Sequence, residues 1–169
     1  PKGRGKEWPA SPKGRGKEWL ASPSARDKEW SLLEAPFGPL TGKSYSERLI
    51  DYGTNPENAG PLEKHDGYGT FTAEDCGDTV EVWLRVRDGR VEEATFRTTG
   101  CLPTYASVAA AVALAKGRPV RDCLRINQSA IIEELGGMPE PDRHCALHAA
   151  RAFQRALRSY VTGRKGKAV

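Results

Sequence analysis

Along residues 80–87 apolar and polar side chains alternate, with Val80, Val82, Leu84 and Val86 on one side and Glu81, Trp83, Arg85 and Arg87 on the other. A period of two marks a strand with one face in a core. Asp88-Gly89 follows, a two-residue hairpin signal because both central positions of that turn need positive φ. Residues 91–98 form the return strand, with Ala94 and Phe96 on one face, and residues 68–72 offer a strand ahead of the pair. The period then changes. Residues 104–116 are rich in Ala and Val and predict a helix closing at Gly117, and residues 118–124 a short one around Pro119. Asn127 is placed to cap a helix ending at Gly136-Gly137. Asp142 is placed to cap the longest helix, to about residue 161, whose stripe is Ala146, Ala149, Ala150, Phe153, Leu157, Tyr160 and Val161. Ahead of the sheet, Ser44 or Ser46 caps a short helix to about residue 52, ended by the turn chemistry of Asn55-Pro56-Glu57-Asn58-Ala59-Gly60-Pro61. Strands first and helices afterwards predict an α+β domain, a small three-stranded antiparallel sheet with helices packed on one face.

Charge divides the 169-residue chain further. Residues 1–33 carry a net +4, residues 34–160 a net −3, and the tail adds Arg164, Lys165 and Lys167. The basic character therefore belongs to the ends. Residues 1–33 are three copies of an eleven-residue unit, PKGRGKEWPAS, PKGRGKEWLAS and PSARDKEWSLL, with Trp8, Trp19 and Trp30 in register. Copies this short, bearing Gly and Pro, cannot bury a core, so the arm reads as flexible. Each Lys-Glu-Trp offers an aromatic anchor beside charge for a docking partner. The Glu after each Lys argues against nucleic acid as that partner. The expected organisation is a repeat arm over 1–33, a Pro- and Gly-bearing linker over 34–43, a folded domain over 44–161 and a basic tail over 162–169. No apolar run approaches the roughly 18 residues of a membrane span, and no apolar segment follows the basic N-terminus. A soluble protein of a reducing compartment, the cytoplasm, without a membrane partner, is the expectation.

In that setting four cysteines point to metal or thiol chemistry more than to disulfides. Three lie at the edges of predicted elements. Cys76 occupies the turn Glu74-Asp75-Cys76-Gly77-Asp78, Cys101 follows the third strand in Gly100-Cys101-Leu102-Pro103, and Cys145 sits beside His144 in the first turn of the last helix. Helix N-termini favour thiolate over thiol, so Cys101 and Cys145 are expected to ionise readily. Three thiolates with Asp78 or His144 would give a four-coordinate site suited to zinc or to an Fe–S cluster. Cys123, inside a predicted helix, reads as packing. His65 reads as an exposed loop residue, and His148, one turn after His144, as packing at the helix surface. No Ser/His/Asp pattern, phosphate loop or His-Glu-x-x-His motif occurs, so hydrolytic or nucleotide chemistry is not expected.

Tyr45-Ser46, the Asn55-Pro56-x-Asn58-x-Gly60 turn, Cys76-Gly77-Asp78, Gly100-Cys101 with Ala106-Ser107, and His144-Cys145 together resemble the IscU/NifU N-terminal family of iron–sulfur cluster assembly scaffolds. The resemblance runs from residue 45 to about residue 160. It implies a non-enzymatic scaffold that accepts sulfur from a cysteine desulfurase, combines it with iron and passes the cluster to apo Fe–S proteins. It also implies that Cys76, Cys101 and Cys145 bind the cluster, [2Fe–2S] or [4Fe–4S], with Asp78 or His144 completing or releasing the site. Zinc in the same position and pairing of two chains around a shared cluster are further implications.

Differences from the family pattern are also present. Leu102-Pro103 stands where a Gly usually follows the second cysteine, which should stiffen that loop. Met138-Pro139-Glu140-Pro141-Asp142 stands where one branch carries a Leu-Pro-Pro-Val-Lys segment read by a chaperone, so any chaperone partner would act by another route. The insertion of the SufU branch and a later Cys-x-x-Cys are absent from this sequence. Two alternatives remain at this stage: a zinc-bound sulfur acceptor that stimulates a desulfurase without holding a cluster, and a degenerate interaction module acting through the arm.

Overall fold

A computed structural model describes residues 44–163. The repeat arm, the linker through residue 43 and residues 164–169 of the basic tail lie outside the described residues. The elements are α1 (Glu47–Thr54), β1 (Gly67–Thr72), β2 (Thr79–Arg87), β3 (Arg90–Thr98), α2 (Leu102–Ala115), α3 (Val120–Cys123), α4 (Gln128–Glu134), a 3₁₀ turn (Glu140–Asp142) and α5 (Arg143–Val161). The three strands form an antiparallel meander in the order β1-β2-β3, as the alternation and the hairpin signal predict. Asp88 and Gly89 take φ of 52° and 71°, the positive values the tight turn demands.

Helices α2 and α5 pack on the sheet face formed by Val80, Val82, Leu84, Ala94 and Phe96, all fully buried or nearly so. The approach of α5 to β1 is unusually close. A Cβ on Gly69 would lie 2.2 Å from the Ala152 carbonyl oxygen and from the Ala156 nitrogen, and one on Gly67 would lie 2.5 Å from the Ala156 oxygen. Two glycines on the strand and small residues at 149, 152 and 156 on the helix let the backbones touch. That contact fixes the start of α5, with His144 and Cys145, relative to the turn after β1, with Cys76 and Asp78. Burial of Phe153 and Leu157 beside it contributes about 1.5–3 kcal/mol each.

Helix α2 is buried almost all round and sits between α1, α5 and β3, the expected place for a helix without a polar face. Leu102 and Pro103 are not loop residues: they form its first two positions, with Cys101 as N-cap. Pro is tolerated there because the first helical N–H groups have no partner inside the helix, so the expected loop stiffening is instead a fixed helix start. Ser46 caps α1 by accepting from the Leu49 N–H at 3.0 Å, and Asn127 caps α4 by accepting from the Ala130 N–H at 3.0 Å. Asp142 occupies the N-cap position of α5, but its side chain does not cap the helix. Its Oδ2 accepts instead from the Tyr45 hydroxyl at 2.9 Å.

The second sheet face departs from the predicted pattern. Trp83 is only 2% exposed and Glu81 6%, although alternation assigns both to solvent. Glu81 tolerates this because Tyr68 donates to its Oε1 at 2.7 Å and Arg97 pairs with its Oε2 at 2.6 Å. Trp83 packs against Tyr68, with ring centroids 5.5 Å apart, and under the Arg97 guanidinium, 5.9 Å from the ring. Alternation also breaks between Arg85 and Val86, where the register slips and the Val86 N–H donates to Asp66 Oδ2 at 2.8 Å, leaving Val86 half-buried. Beyond β3, residues 58–60 add a parallel bridge through Gly60 N–H to Phe96 O at 2.8 Å and Phe96 N–H to Asn58 O at 3.0 Å, which covers the strand edge. His65 is half-buried, with Nδ1 2.9 Å from the Leu62 oxygen, and is not the exposed residue expected.

Candidate metal centre

Cys101 closes β3 and opens α2, while Cys145 lies in the first turn of α5, so the α2–α5 packing brings two helix starts together. The two Sγ atoms are 4.0 Å apart. A disulfide would need about 2.05 Å, so the pair is reduced. His144 Nε2 lies 3.6 Å from the Cys145 sulfur. Ligands at about 2.3 Å (sulfur) and about 2.05 Å (nitrogen) on a tetrahedral ion are separated by about 3.8 Å for S···S and about 3.6 Å for S···N. Both observed separations, which share Cys145, lie close to those values. The soft donor set fits iron or zinc.

Thr104 joins Asp78 to this pair. Its hydroxyl lies 3.4 Å from Cys101 Sγ and 3.4 Å from Asp78 Oδ2, and it is fully buried one turn into α2. Gly100 makes room for it, since a Cβ there would lie 2.5 Å from the Thr104 methyl. Cys76 is exposed in the turn after β1, where Gly77 takes φ of 72°, and no hydrogen bond ties it to the other thiols. Among the described residues no three His, Cys, Asp or Glu side chains already surround a common point. Cys101, Cys145 and His144 are thus brought together, Asp78 is tied to them through Thr104, and Cys76 stands apart at the rim.

The expectation that both helix-start thiols ionise readily fails for one of them. The Cys101 thiol is pulled down to about 5, first by the hydrogen bond from Cys145 and then by the Thr104 hydroxyl and N–H, against the opposing effects of burial and of Asp78. Cys145, 1% exposed, is pushed up, first because it donates to Cys101, then by burial. One proton serves two sulfurs 4.0 Å apart. Of the pair, Cys101 is the sulfur favoured to lose its proton and Cys145 the one favoured to keep it; a metal bridging the two would displace that proton. Tyr45, 2.9 Å from Asp142, stands close enough to feel both sulfurs, and burial followed by its bond to Asp142 raises its hydroxyl well above the usual phenol range.

The family follows from the same span of sequence that builds this site. Residues 44–167 match the NifU-like N terminal domain. The chain belongs to that family. Within it, the iron-sulfur cluster assembly scaffold protein IscU 1 of Archaeoglobus fulgidus is 38% identical over 116 residues, covering 69% of this chain and 76% of that protein. The iron-sulfur cluster assembly scaffold protein IscU of Escherichia coli is 34% identical over 128 residues, covering 73% of this chain and 99% of that one. A putative iron-sulfur cluster assembly scaffold protein for the SUF system from Fervidobacterium islandicum shares the fold, with a TM-score of 0.58 at 18% identity over 67% of this chain and 96% of that chain.

Three features of this NifU-like domain escaped the sequence reading. Thr104 could have been found: three residues after a helix N-cap, a side chain returns over the cap, so Cys101-x-x-Thr104 puts a hydroxyl on the sulfur. The Tyr45–Asp142 pair joins residues 97 apart in sequence and has no local signal. His148 is buried, its ring packed against Phe71 at 5.0 Å and edge-to-face with His144 at 5.3 Å, and not at the helix surface. Cys123 is buried and donates toward the Ala115 carbonyl oxygen, a packing role as expected.

Proposed function

We propose that this NifU-like domain is an iron–sulfur cluster assembly scaffold, with Cys76, Cys101 and Cys145 as cluster ligands and Asp78 or His144 completing the site. The observation that carries the reading is the meeting of Cys101, Cys145 and His144 at two helix starts, with 4.0 Å between the two sulfurs and 3.6 Å from the Cys145 sulfur to His144 Nε2. Iron and sulfide are cargo here. A Cys101 thiolate would bind iron directly, or attack the outer sulfur of a donor persulfide so that the new S–S bond forms as the donor's thiolate leaves, because a thiolate is both the ligand and the nucleophile. That sulfur becomes cluster sulfide on taking two electrons from an external reductant. Such sulfur would come from a cysteine desulfurase, and the finished cluster would pass to apo Fe–S proteins. A carboxylate or imidazole holds iron more weakly than a fourth thiolate, which suits a site that must release its cluster. Cys76, exposed on the turn where Gly77 takes positive φ, would supply the third thiol from the rim.

The test is anaerobic reconstitution of the full chain with iron, a sulfur donor and a desulfurase. Sulfide-to-iron and thiolate-to-iron absorption should appear and persist longer in Asp78→Ala, where the exchangeable ligand is gone. Zinc uptake with no such absorption in either chain would overturn the reading in favour of a zinc-bound sulfur acceptor. A [2Fe–2S] cluster is expected first, since one domain offers three thiolates and one weaker donor.

A further inference from the structure

His144 and His148 lie four residues apart on α5, so both project from one face of the helix, one turn apart. Their ring centroids are 5.3 Å apart at 67°. His148 is 6% exposed, and its Nδ1 is enclosed without a hydrogen-bond partner. Leaving a buried imidazole nitrogen unpaired is costly, because the group loses its hydrogen bonds to water and gains none in return. Packing does not require a nitrogen there, because one side of the ring only stacks on Phe71 at 5.0 Å. The charges that act on His148 come from three elements: His144 and Arg151 on its own helix, Asp75 in the turn after β1 and Asp78 just ahead of β2. Burial, then His144, lowers the proton affinity of the ring, against the pull of the two carboxylates.

We propose that His148 is a further ligand of this site, forming with His144 and Cys145 a two-imidazole, one-thiolate mode for a borderline divalent cation such as Fe(II), Zn(II) or Co(II). This mode would serve an ion that Cys76 and Asp78 are not holding, and it rests on reading Cys145 and His144 as ligands. Histidines at i and i+4 are the spacing by which one helix face chelates zinc, and imidazole suits iron as well. Because no three donors surround a common point, both rings turn on binding. Cys145 releases its proton to solvent, each imidazole gives a lone pair, and no electron moves between ion and protein.

The test uses the full, metal-free chain carrying Cys76→Ser and Cys101→Ser, titrated anaerobically with Co(II) near neutral pH. Tetrahedral cobalt bands with thiolate-to-cobalt charge transfer should appear, and adding His148→Leu should weaken affinity by about tenfold or more. Equal affinity with and without His148, or no cobalt–thiolate bands at all, overturns the inference. A second measurement does not depend on how His148→Leu folds. In the same double-serine chain labelled with ¹⁵N-histidine and loaded with Zn(II), a ring nitrogen of both His144 and His148 should shift. A His148 signal that stays in place while that of His144 moves overturns it. Reconstitution of the unaltered chain with iron and sulfide reports on the scaffold reading separately, so failure of one is distinguishable from failure of the other.

Discussion

Replacing Thr104 by Val removes a hydroxyl and keeps the shape of a fully buried side chain. That hydroxyl stands 3.4 Å from both the Cys101 sulfur and the Asp78 carboxylate, so its one proton is shared between two anions. A hydrogen bond to a charged group is worth about 1.5–3 kcal/mol, and 1.36 kcal/mol is one pKa unit. Full loss would raise the Cys101 thiol by about one to two units. Sharing with Asp78 reduces this to about one unit, from about 5 to about 6. The larger contribution, the hydrogen bond from Cys145, remains. The assay is the pH dependence of alkylation at Cys101 in the metal-free full chain, read by peptide mass spectrometry. In the unaltered chain the alkylation midpoint should lie far below that of free cysteine, and in Thr104→Val it should move upward while the folded state is retained. A midpoint near that of free cysteine in the unaltered chain would refute the thiolate assignment. An unmoved midpoint in the variant would refute the role of Thr104.

Gly69→Ala should destabilise the domain by about 1–3 kcal/mol, because a Cβ 2.2 Å from the α5 backbone forces β1 and α5 apart; thermal unfolding measures it, and an unchanged midpoint contradicts the close-approach argument. Glu81→Gln should bring the Tyr68 hydroxyl down from about 12, where burial first and the Glu81 carboxylate second have raised it; ultraviolet titration of the phenolate checks this, and burial should still hold it above 10.0. Tyr45→Phe should cost about 1 kcal/mol in urea unfolding, since it deletes the 2.9 Å bond to Asp142 at the start of α5, and should speed amide exchange in the first turn of that helix.

The elements of this fold are set by local patterns that a sequence carries openly. The strand from Val80, the Asp88-Gly89 turn and the caps at Ser46 and Asn127 each rest on signals of a few residues, and each element appears in the structure where it was expected. Alternation misled at Glu81 and Trp83, because the exposure of a polar face depends on what neighbouring strands place beside it. Tyr68 and Arg97 satisfy Glu81 from strands on either side, a pairing decided by register and not by the local pattern.

The site divides in the same way. The sequence by itself placed Cys76, Cys101, Cys145, Asp78 and His144 at element boundaries, in turns or at helix starts. It could not decide which thiol carries the charge. Equal placement at two helix N-termini predicted two easily ionised cysteines, whereas the 4.0 Å contact between them lowers the Cys101 thiol and raises that of Cys145. Nor could it show that Thr104 links Asp78 to Cys101, that Asp142 turns to Tyr45 instead of capping its helix, or that His148 is buried against His144. These facts depend on how closely α5 settles on β1, which is set by Gly67, Gly69 and the alanines facing them. Local chemistry chose the ligand types and their positions along the chain; backbone contact between distant elements chose the distances, and the distances decide the protonation states.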